Sequence, residues 1–359
     1  MPADALRTLA ETIRAAATEG KRLRLRGGGT KDFYGQALAG EILDTRVYAG
    51  IVAYEPTELV ITVRGGTPLA EVEVALAEKR QMLAFEPPHF AQCGSGGATI
   101  GGAVAAGLSG PRRAAAGALR DFVLGVRVMD GRGEDLTFGG RVMKNVAGYD
   151  VSRVMAGALG TLGVILEVSL KVLPLPVAEA TLKFEMPRDK AIEAVNRWGG
   201  KPLPISATAY GDGELEVRLS GAAAALKAAC ATLGGERVAD ADAARFWTGI
   251  REHTDPFFGG DEPLWRLSVP STTAPLAIEG RELVEWGGAL RWLKSRAEAR
   301  TIRDAAARAG GHATLFRGGD KAAGVFHPLA PAVARIHQRL KAEFDPHGVL
   351  NRGRMYSEF

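Results

Sequence analysis

The chain has 359 residues and 46 glycines, about 13% against an average near 7%. With 46% apolar and 24% charged residues and no G-X-Y period, it is neither collagen-like nor disordered, and its length predicts two domains. The net charge is only +4 and the basic residues are scattered, without an aromatic-interleaved stripe, which argues against a nucleic-acid partner.

The first predicted element is a helix over about 4–18, with Leu6, Leu9, Ala10 and Ile13 on one face. It lacks the apolar core of a signal peptide, so the chain reads as cytoplasmic and unprocessed. No run of about 18 apolar residues follows, which limits membrane contact to a peripheral or partner-mediated one. A strand at 22–26 leads into Gly27-Gly28-Gly29, and further strands fall near 41–44, 51–54 and 59–63. After Gly65-Gly66, Thr67 is expected to N-cap a helix that starts at Pro68 and runs to about Lys79.

The stretch from Cys93 to Pro111 is glycine-laden loop, with Gly101 to Gly107 a short tight helix. Residues 121–130 and 134–138 read as a hairpin around Gly131-Arg132-Gly133. A short helix after Asp150, the turn Gly160-Thr161-Leu162-Gly163 and a long strand from Val164 follow, and Pro174-Leu175-Pro176 marks a domain boundary. Beyond it come a strand (178–186), a helix (188–198), a hairpin (205–219), helices at 221–233 and 241–252, and strands near 264–269 and 281–293. A helix at 297–309, a strand at 312–317 and a helix at 329–344 complete an α+β pattern with an antiparallel sheet.

Residues 94–163 hold 17 of the glycines. Gly94-Ser95-Gly96-Gly97-Ala98-Thr99 begins like a dinucleotide fingerprint but ends in Thr, and no acidic residue follows at the required distance. Neither Gly20-Lys21 nor Gly200-Lys201 is followed by Ser or Thr, so no P-loop exists, and Ser109 sits one residue wrong for a nucleophile elbow. Three glycine clusters, at 27–29, 94–110 and 157–163, fit one large extended ligand such as a dinucleotide better than a single phosphate. The two cysteines, Cys93 and Cys230, match no CxxC, so any iron–sulfur centre sits on another chain.

Arg26-Gly27-Gly28-Gly29-Thr30-Lys31, Glu86-Pro87-Pro88-His89, Ala98-Thr99-Ile100-Gly101-Gly102, Gly107-Leu108-Ser109-Gly110-Pro111-Arg112-Arg113 and Gly160-Thr161-Leu162-Gly163-Val164-Ile165 resemble the FAD-binding domain of the vanillyl-alcohol oxidase / p-cresol methylhydroxylase (PCMH-type) flavoproteins. The stretches 142–150, Trp286 to Leu293 and Gly310 to Arg317 are similar to the FAD-binding subunits of bacterial glycolate oxidases, and the tail from Phe344 to Asn351 to the superfamily's closing motif.

The resemblance implies a PCMH-type FAD-binding domain over 1–175 in two subdomains (about 1–54 and 55–175), an α+β cap domain over 176–335, and a segment 336–359 that returns to the FAD domain. It implies that Arg26, Gly27, Gly28, Gly29, Thr30 and Lys31 form the pyrophosphate loop, and that Pro88, Thr99, Ile100, Gly101 and Gly102 approach the ribityl chain and flavin ring. Gly107, Ser109 and Arg112 would line the diphosphate or adenine side. Gly148, Tyr149, Gly157, Gly160, Thr161, Gly163 and Ile165 would hold the flavin edge and adenosine, with Asn351 near the flavin.

Gly29-Thr30 stands where covalent members carry a His, so non-covalent FAD is expected, and the metal motif of related 2-hydroxyacid dehydrogenases is missing around His312, so no metal is expected. The implied activity is oxidation of glycolate, a small 2-hydroxy acid, to glyoxylate, with electrons passing to a second flavoprotein subunit and an iron–sulfur subunit. Arg291 and Arg317 are the leading choices for the substrate carboxylate, each weighed against a structural ion pair, and His312 or His327 for the base. Met143, Met155, Trp286 and Trp292 read as core. The alternatives are an electron-relay FAD subunit that supports a catalytic partner, and a standalone flavoenzyme for another hydroxy acid.

Overall fold

The structure is a computed structural model that describes residues 2–93, 96–140 and 150–359. The first helix, Pro2–Glu19, buries Leu9, Ala10, Ile13 and Ala16, the face its spacing predicts, and delivers the chain to Leu23–Arg26. That strand pairs in parallel with Glu41–Asp44, a pairing the sequence pattern did not reveal.

A five-stranded antiparallel sheet follows, in the order Ile51–Glu55, Val60–Arg64, Val164–Lys171, Val123–Met129, Asp135–Gly139. Its central strand, Val164–Lys171, is apolar at most positions because both faces are covered. Helices Leu69–Glu78 and Ile100–Ala106 supply Leu69, Val72, Leu76, Ile100 and Val104 to the core formed with Val168 and Leu170. Thr67 does not cap the first of these helices. Its hydroxyl accepts from Gly50 N at 2.8 Å and donates to Arg64 O at 2.7 Å, and Pro68 takes the N-cap position itself.

Residues 178–317 build an eight-stranded antiparallel sheet in the order Glu236–Val238, Ala178–Glu185, Glu214–Gly221, Ile205–Gly211, Arg281–Glu285, Leu290–Lys294, Leu264–Ser268, His312–Arg317. Helices Arg188–Gly199 and Ala223–Leu233 pack on Leu182, Val217 and Leu219, while Ala299–Arg308 packs on Trp265, Leu267 and Leu315. The strand expected over 281–293 is in fact two, because Trp286, Gly287 and Gly288 take φ of 55°, 65° and 103° in succession and reverse the chain.

After helix Pro331–Phe344 the chain returns to its beginning: Leu23 N donates to Val349 O at 2.7 Å and Asn351 N to Leu23 O at 3.0 Å. The buried Lys341 ammonium fixes this return by donating to Thr161 O (2.7 Å), Leu350 O (2.7 Å) and Asp345 Oδ2 (2.6 Å). Replacing it removes one half of a buried ion pair and strands three acceptors, so Lys341→Met is expected to lower unfolding free energy by about 3–5 kcal/mol, measured as a shift of the urea midpoint.

Candidate functional site

The loop after the first strand forms one wall of a cleft through Arg26, Gly27, Gly28, Gly29, Thr30 and Lys31. A Cβ on Gly28 would fall on the Gly97 carbonyl, and Gly29 has φ +75° with the Arg26 guanidinium folded against it. Gly101 and Gly102 form the facing wall, where a Cβ on Gly101 would lie 2.7 Å from Gly65 O. Gly160, Gly163 and Ile165 form the third side and Asn351 closes it, its Oδ1 accepting from Leu25 N and its Nδ2 donating to Leu159 O. One of the three sequence clusters and part of each of the other two thus meet in one place.

Among the described residues, the amides of Gly28, Gly29, Thr30 and Lys31 have no hydrogen-bond acceptor, although Gly28 and Thr30 are buried. Buried amides without partners are costly, so this loop is a set of donors suited to an anionic, oxygen-rich ligand. Its carbonyls point elsewhere. Arg354 donates to the carbonyls of Asp32 (3.0 Å), Tyr34 and Gln36, and Lys321 Nζ donates to Phe33 O and Gly35 O, both at 2.8 Å. Burial lowers Arg354 to about 10, which leaves it charged at neutral pH.

The other expected contacts lie outside the cleft. Thr99 caps the helix Ile100–Ala106 by accepting from Gly102 N at 3.2 Å, and Ile100 is fully buried in the core beneath it. Gly107 ends that helix at φ +64° against Gly157, and Gly157 and Thr161 line a separate surface groove. Arg112 does not line the cleft; it pairs with Glu86 and with Glu179 (2.6 Å), while Arg218 also pairs with Glu86 (2.9 Å). Gly148, Tyr149 and Met143 lie outside the described residues. Met155 is core, as expected.

The expected substrate groups do not come together in one place. Arg291 is fully buried inside the cap, bound to Gly288 O (2.8 Å), Thr273 O (2.7 Å) and Glu282 (3.6 Å), so it is the structural ion pair weighed against a catalytic role. His312 is exposed at the start of its strand, with His327 beside it at 6.4 Å, and neither lines the cleft. Arg317 stands at the seam between cap and cleft, donating to Phe258 O at 3.1 Å with its guanidinium 5.9 Å from the Phe33 ring centre.

That seam holds Pro88 and Ser109, expected at the FAD, and three groups that were not singled out in the sequence, His253, Arg266 and Glu285. Pro88, Ser109, His253, Arg266, Glu285 and Trp292 line a small cavity walled by Phe90 and Phe316. His253 stacks on Phe258 at 3.9 Å, its Nδ1 has no partner, and burial with Arg317 and Arg266 nearby holds its pKa well below the usual value, so it is neutral. Glu285 accepts from Trp292 Nε1 at 2.7 Å, and burial pushes its carboxyl up to about 8. Arg266 lies over Trp286 at 5.2 Å and, among the described residues, makes no hydrogen bond or ion pair. The available signals were a lone charge inside the apolar strand Leu264–Ser268 and another at the end of Arg281–Glu285. Trp286 and Trp292, read as core, both belong to one buried cluster, and Trp292 also lines this cavity.

Fold and cleft together define an FAD-binding flavoprotein domain joined to an antiparallel-sheet cap. Residues 3–152 match the family model described as "FAD binding domain". The chain is 48% identical over 355 residues to glycolate oxidase subunit GlcE of Escherichia coli (strain K12), covering 99% of this chain and 98% of that protein. A shorter match, 39% identical over 84 residues, is to glycolate oxidase subunit GlcD of Bacillus subtilis (strain 168), 23% of this chain and 18% of that one. Among solved structures, an alkyldihydroxyacetonephosphate synthase superposes with a TM-score of 0.65 at 14% identity over 96% of this chain and 74% of its own. The chain belongs to the family of glycolate oxidase subunit GlcE, a family of FAD-dependent oxidoreductases, and FAD is its cofactor. No helix among the described residues is long and apolar enough to cross a membrane.

Because Glu285 is raised from 4.5 to about 8, the folded state holds a proton that the unfolded state releases, and its stability falls as pH rises from about 5 through 8. Glu285→Gln is expected to flatten that fall, which for one proton is at most about 1.4 kcal/mol per pH unit, in urea unfolding followed from pH 5 to 8.

Proposed function

We propose that the chain is the FAD-binding subunit of a glycolate (2-hydroxyacid) oxidase complex that oxidises glycolate to glyoxylate and passes electrons to partner subunits, a second flavoprotein and an iron–sulfur protein. The observation that carries the reading is the row of amides at Gly28, Gly29, Thr30 and Lys31 that have no acceptor among the described residues, in a glycine-walled cleft. In this reading those amides hold the FAD pyrophosphate, with Arg26 and Lys31 adding positive charge. Gly101, Gly102, Gly160 and Gly163 let the backbone come close, and Asn351 fixes the two segments it bridges.

When bound, FAD supplies a two-electron acceptor at its flavin N5. The residues of the seam exclude water with Phe90, Phe316 and Trp292 and surround the reacting acid with Arg266, Arg317 and neutral His253. No His stands in the Gly27–Lys31 loop, which supports non-covalent binding. The division at about residue 175 into an FAD domain and a cap, and a cytoplasmic location with membrane contact only through partners, belong to the same proposal.

The test uses the full chain alone. It is expected to bind FAD, and anaerobic glycolate is expected to bleach the visible absorbance of the bound flavin. A flavin that stays oxidised until the partner flavoprotein is added would move the chemistry to that partner. Gly28→Ala, whose methyl group would collide with the Gly97 carbonyl, is expected to weaken FAD binding by about tenfold or more in a fluorescence titration.

A further inference from the structure

The last long helix, Pro331–Phe344, is packed for only part of its length. Val333, His337, Leu340 and Phe344 recur at the spacing of one helix face. Leu340 and Phe344 are held by the core of the five-stranded sheet, whereas Val333 and Ile336, one turn apart, are 41% and 57% exposed. The apolar stripe therefore starts in solvent. Beside it runs a groove of about 630 Å³ lined by His337 and Leu340 of this helix and by Arg120, Arg153 and Val154. Val154, on the short helix Val151–Met155, is itself left 39% exposed. Three uncovered aliphatic side chains on the two helices that line one groove mark a place where another molecule packs.

What lies beneath the groove narrows the choice of partner. Leu159, Gly160 and Gly163 line the cofactor cleft, while Ala158, Thr161 and Leu162, their neighbours in the chain, line the groove. Consecutive residues of one turn thus face the two spaces, and a single layer of polypeptide separates them. Phe359, also in the groove lining, meets Tyr356 at 5.4 Å, Tyr356 meets Phe326 at 5.9 Å, and Phe326 meets Tyr34, in the segment of the amide loop, at 5.6 Å. Electron transfer between proteins falls steeply with distance and with gaps in the packing, so a protein that takes electrons from the cofactor gains most by docking here. A second copy of this chain would bring an identical cofactor, with no potential difference to drive transfer. The groove also carries positive charge: Arg120 has no ion pair among the described residues, and Arg153 has only the exposed Asp150 at 3.1 Å, a surface pair of little worth. The lining carboxylate, Asp121, is engaged by the Ala118 amide. An iron–sulfur cluster is held by cysteine thiolates and is anionic, which suits such a rim.

We propose that this groove is the docking surface for the iron–sulfur subunit, the electron-accepting partner of the complex, which lays an acidic segment with an aliphatic face against helices Val151–Met155 and Pro331–Phe344. The inference rests on the reading of the chain as an FAD-binding subunit of such a complex and adds to it the place of contact. Val154, Val333 and Ile336 supply the apolar centre, and Arg120 and Arg153 the charged rim that steers and orients the approach.

The test measures association instead of turnover. The affinity of the full, FAD-loaded chain for the purified iron–sulfur subunit is read by biolayer interferometry, with the second flavoprotein measured in parallel. Val333→Glu combined with Ile336→Glu is expected to weaken binding of the iron–sulfur subunit by at least about tenfold, and Val154→Glu, from the other helix, to repeat the loss. Arg120→Glu is expected to weaken it as well and to flatten its dependence on ionic strength. Val74→Glu, at a 62% exposed position on helix Leu69–Glu78, is the control and is expected to leave binding unaltered. Every variant is expected to keep the FAD affinity of the unaltered chain, which shows that it folds. Binding of the Val333→Glu, Ile336→Glu chain within about twofold of the unaltered one, an equal loss with Val74→Glu, or a loss confined to the second flavoprotein would each overturn the docking surface and leave the functional reading standing. A chain that associates with neither subunit would bring down the functional reading, and this surface with it.

Discussion

Everything in the cofactor half depends on how the backbone of residues 28–36 divides its polar groups. A loop that offers its amides to a ligand must send its carbonyls somewhere, and a carbonyl buried without a donor is as costly as an orphaned amide. Here the carbonyls of Asp32, Tyr34 and Gln36 go to Arg354, near the C-terminus, and those of Phe33 and Gly35 to Lys321. Two cations from segments 286 to 322 residues away therefore hold the loop's outer side. Its inner side is left presenting donors.

The same logic joins cap and FAD-binding half. Glu86 lies on the FAD side with Arg112, and Arg218 and Glu179 lie on neighbouring cap strands. Arg112 spans both carboxylates and also donates to Ser220, while Glu86 accepts from both arginines. Desolvation alone would raise the Glu86 carboxyl, but Arg218 and Arg112 hold it below its usual value. A buried network of this kind is weak evidence of net stability. It is a strong constraint on register, because every displacement strands a charge. It fixes the seam on one side, and Trp286 Nε1, which donates to Gly110 O at 3.1 Å, fixes it on the other.

Periodicity made the elements legible, and with few exceptions they stand within a residue or two of the expected ends. Helix Arg188–Gly199 and strand His312–Arg317 show why: each carries an unbroken apolar stripe of the right period. The failures have local causes. Thr67 sits where a capping residue belongs, but Gly50 and Arg64 compete for its hydroxyl. Trp286 adopts positive φ that a bulky residue rarely takes, so the turn inside 281–293 carries only its two glycines as a signal. The glycine cleft was legible because a Gly requirement is written at the position that needs it. The seam was not, because His253, Arg266 and Glu285 come from three elements and no spacing relates them. Arg291 and Trp292 are adjacent in a strand and point to opposite faces, so only one of the two lines the seam.

Lys31 ties the two regions together. It belongs to the amide loop and lines the cleft, while its ammonium lies 5.6 Å from the ring centre of Phe90, a wall of the seam cavity. Burial lowers it to about 8, partly offset by Glu252, whose carboxylate accepts from the amides of His89 and Phe90. The segment that shapes the seam is thus anchored on the anion that helps keep Lys31 charged. Any movement of Phe90 alters the field at Lys31, and any change of charge on Lys31 is felt by the wall against which a small acid would lie. Cofactor cleft and seam cavity have different linings, and Lys31 of the one is connected to Phe90 of the other by a cation–π contact and by their common neighbour Glu252. That connection is a physical reason for a cap of this fold to be held by charged networks on its FAD-binding half.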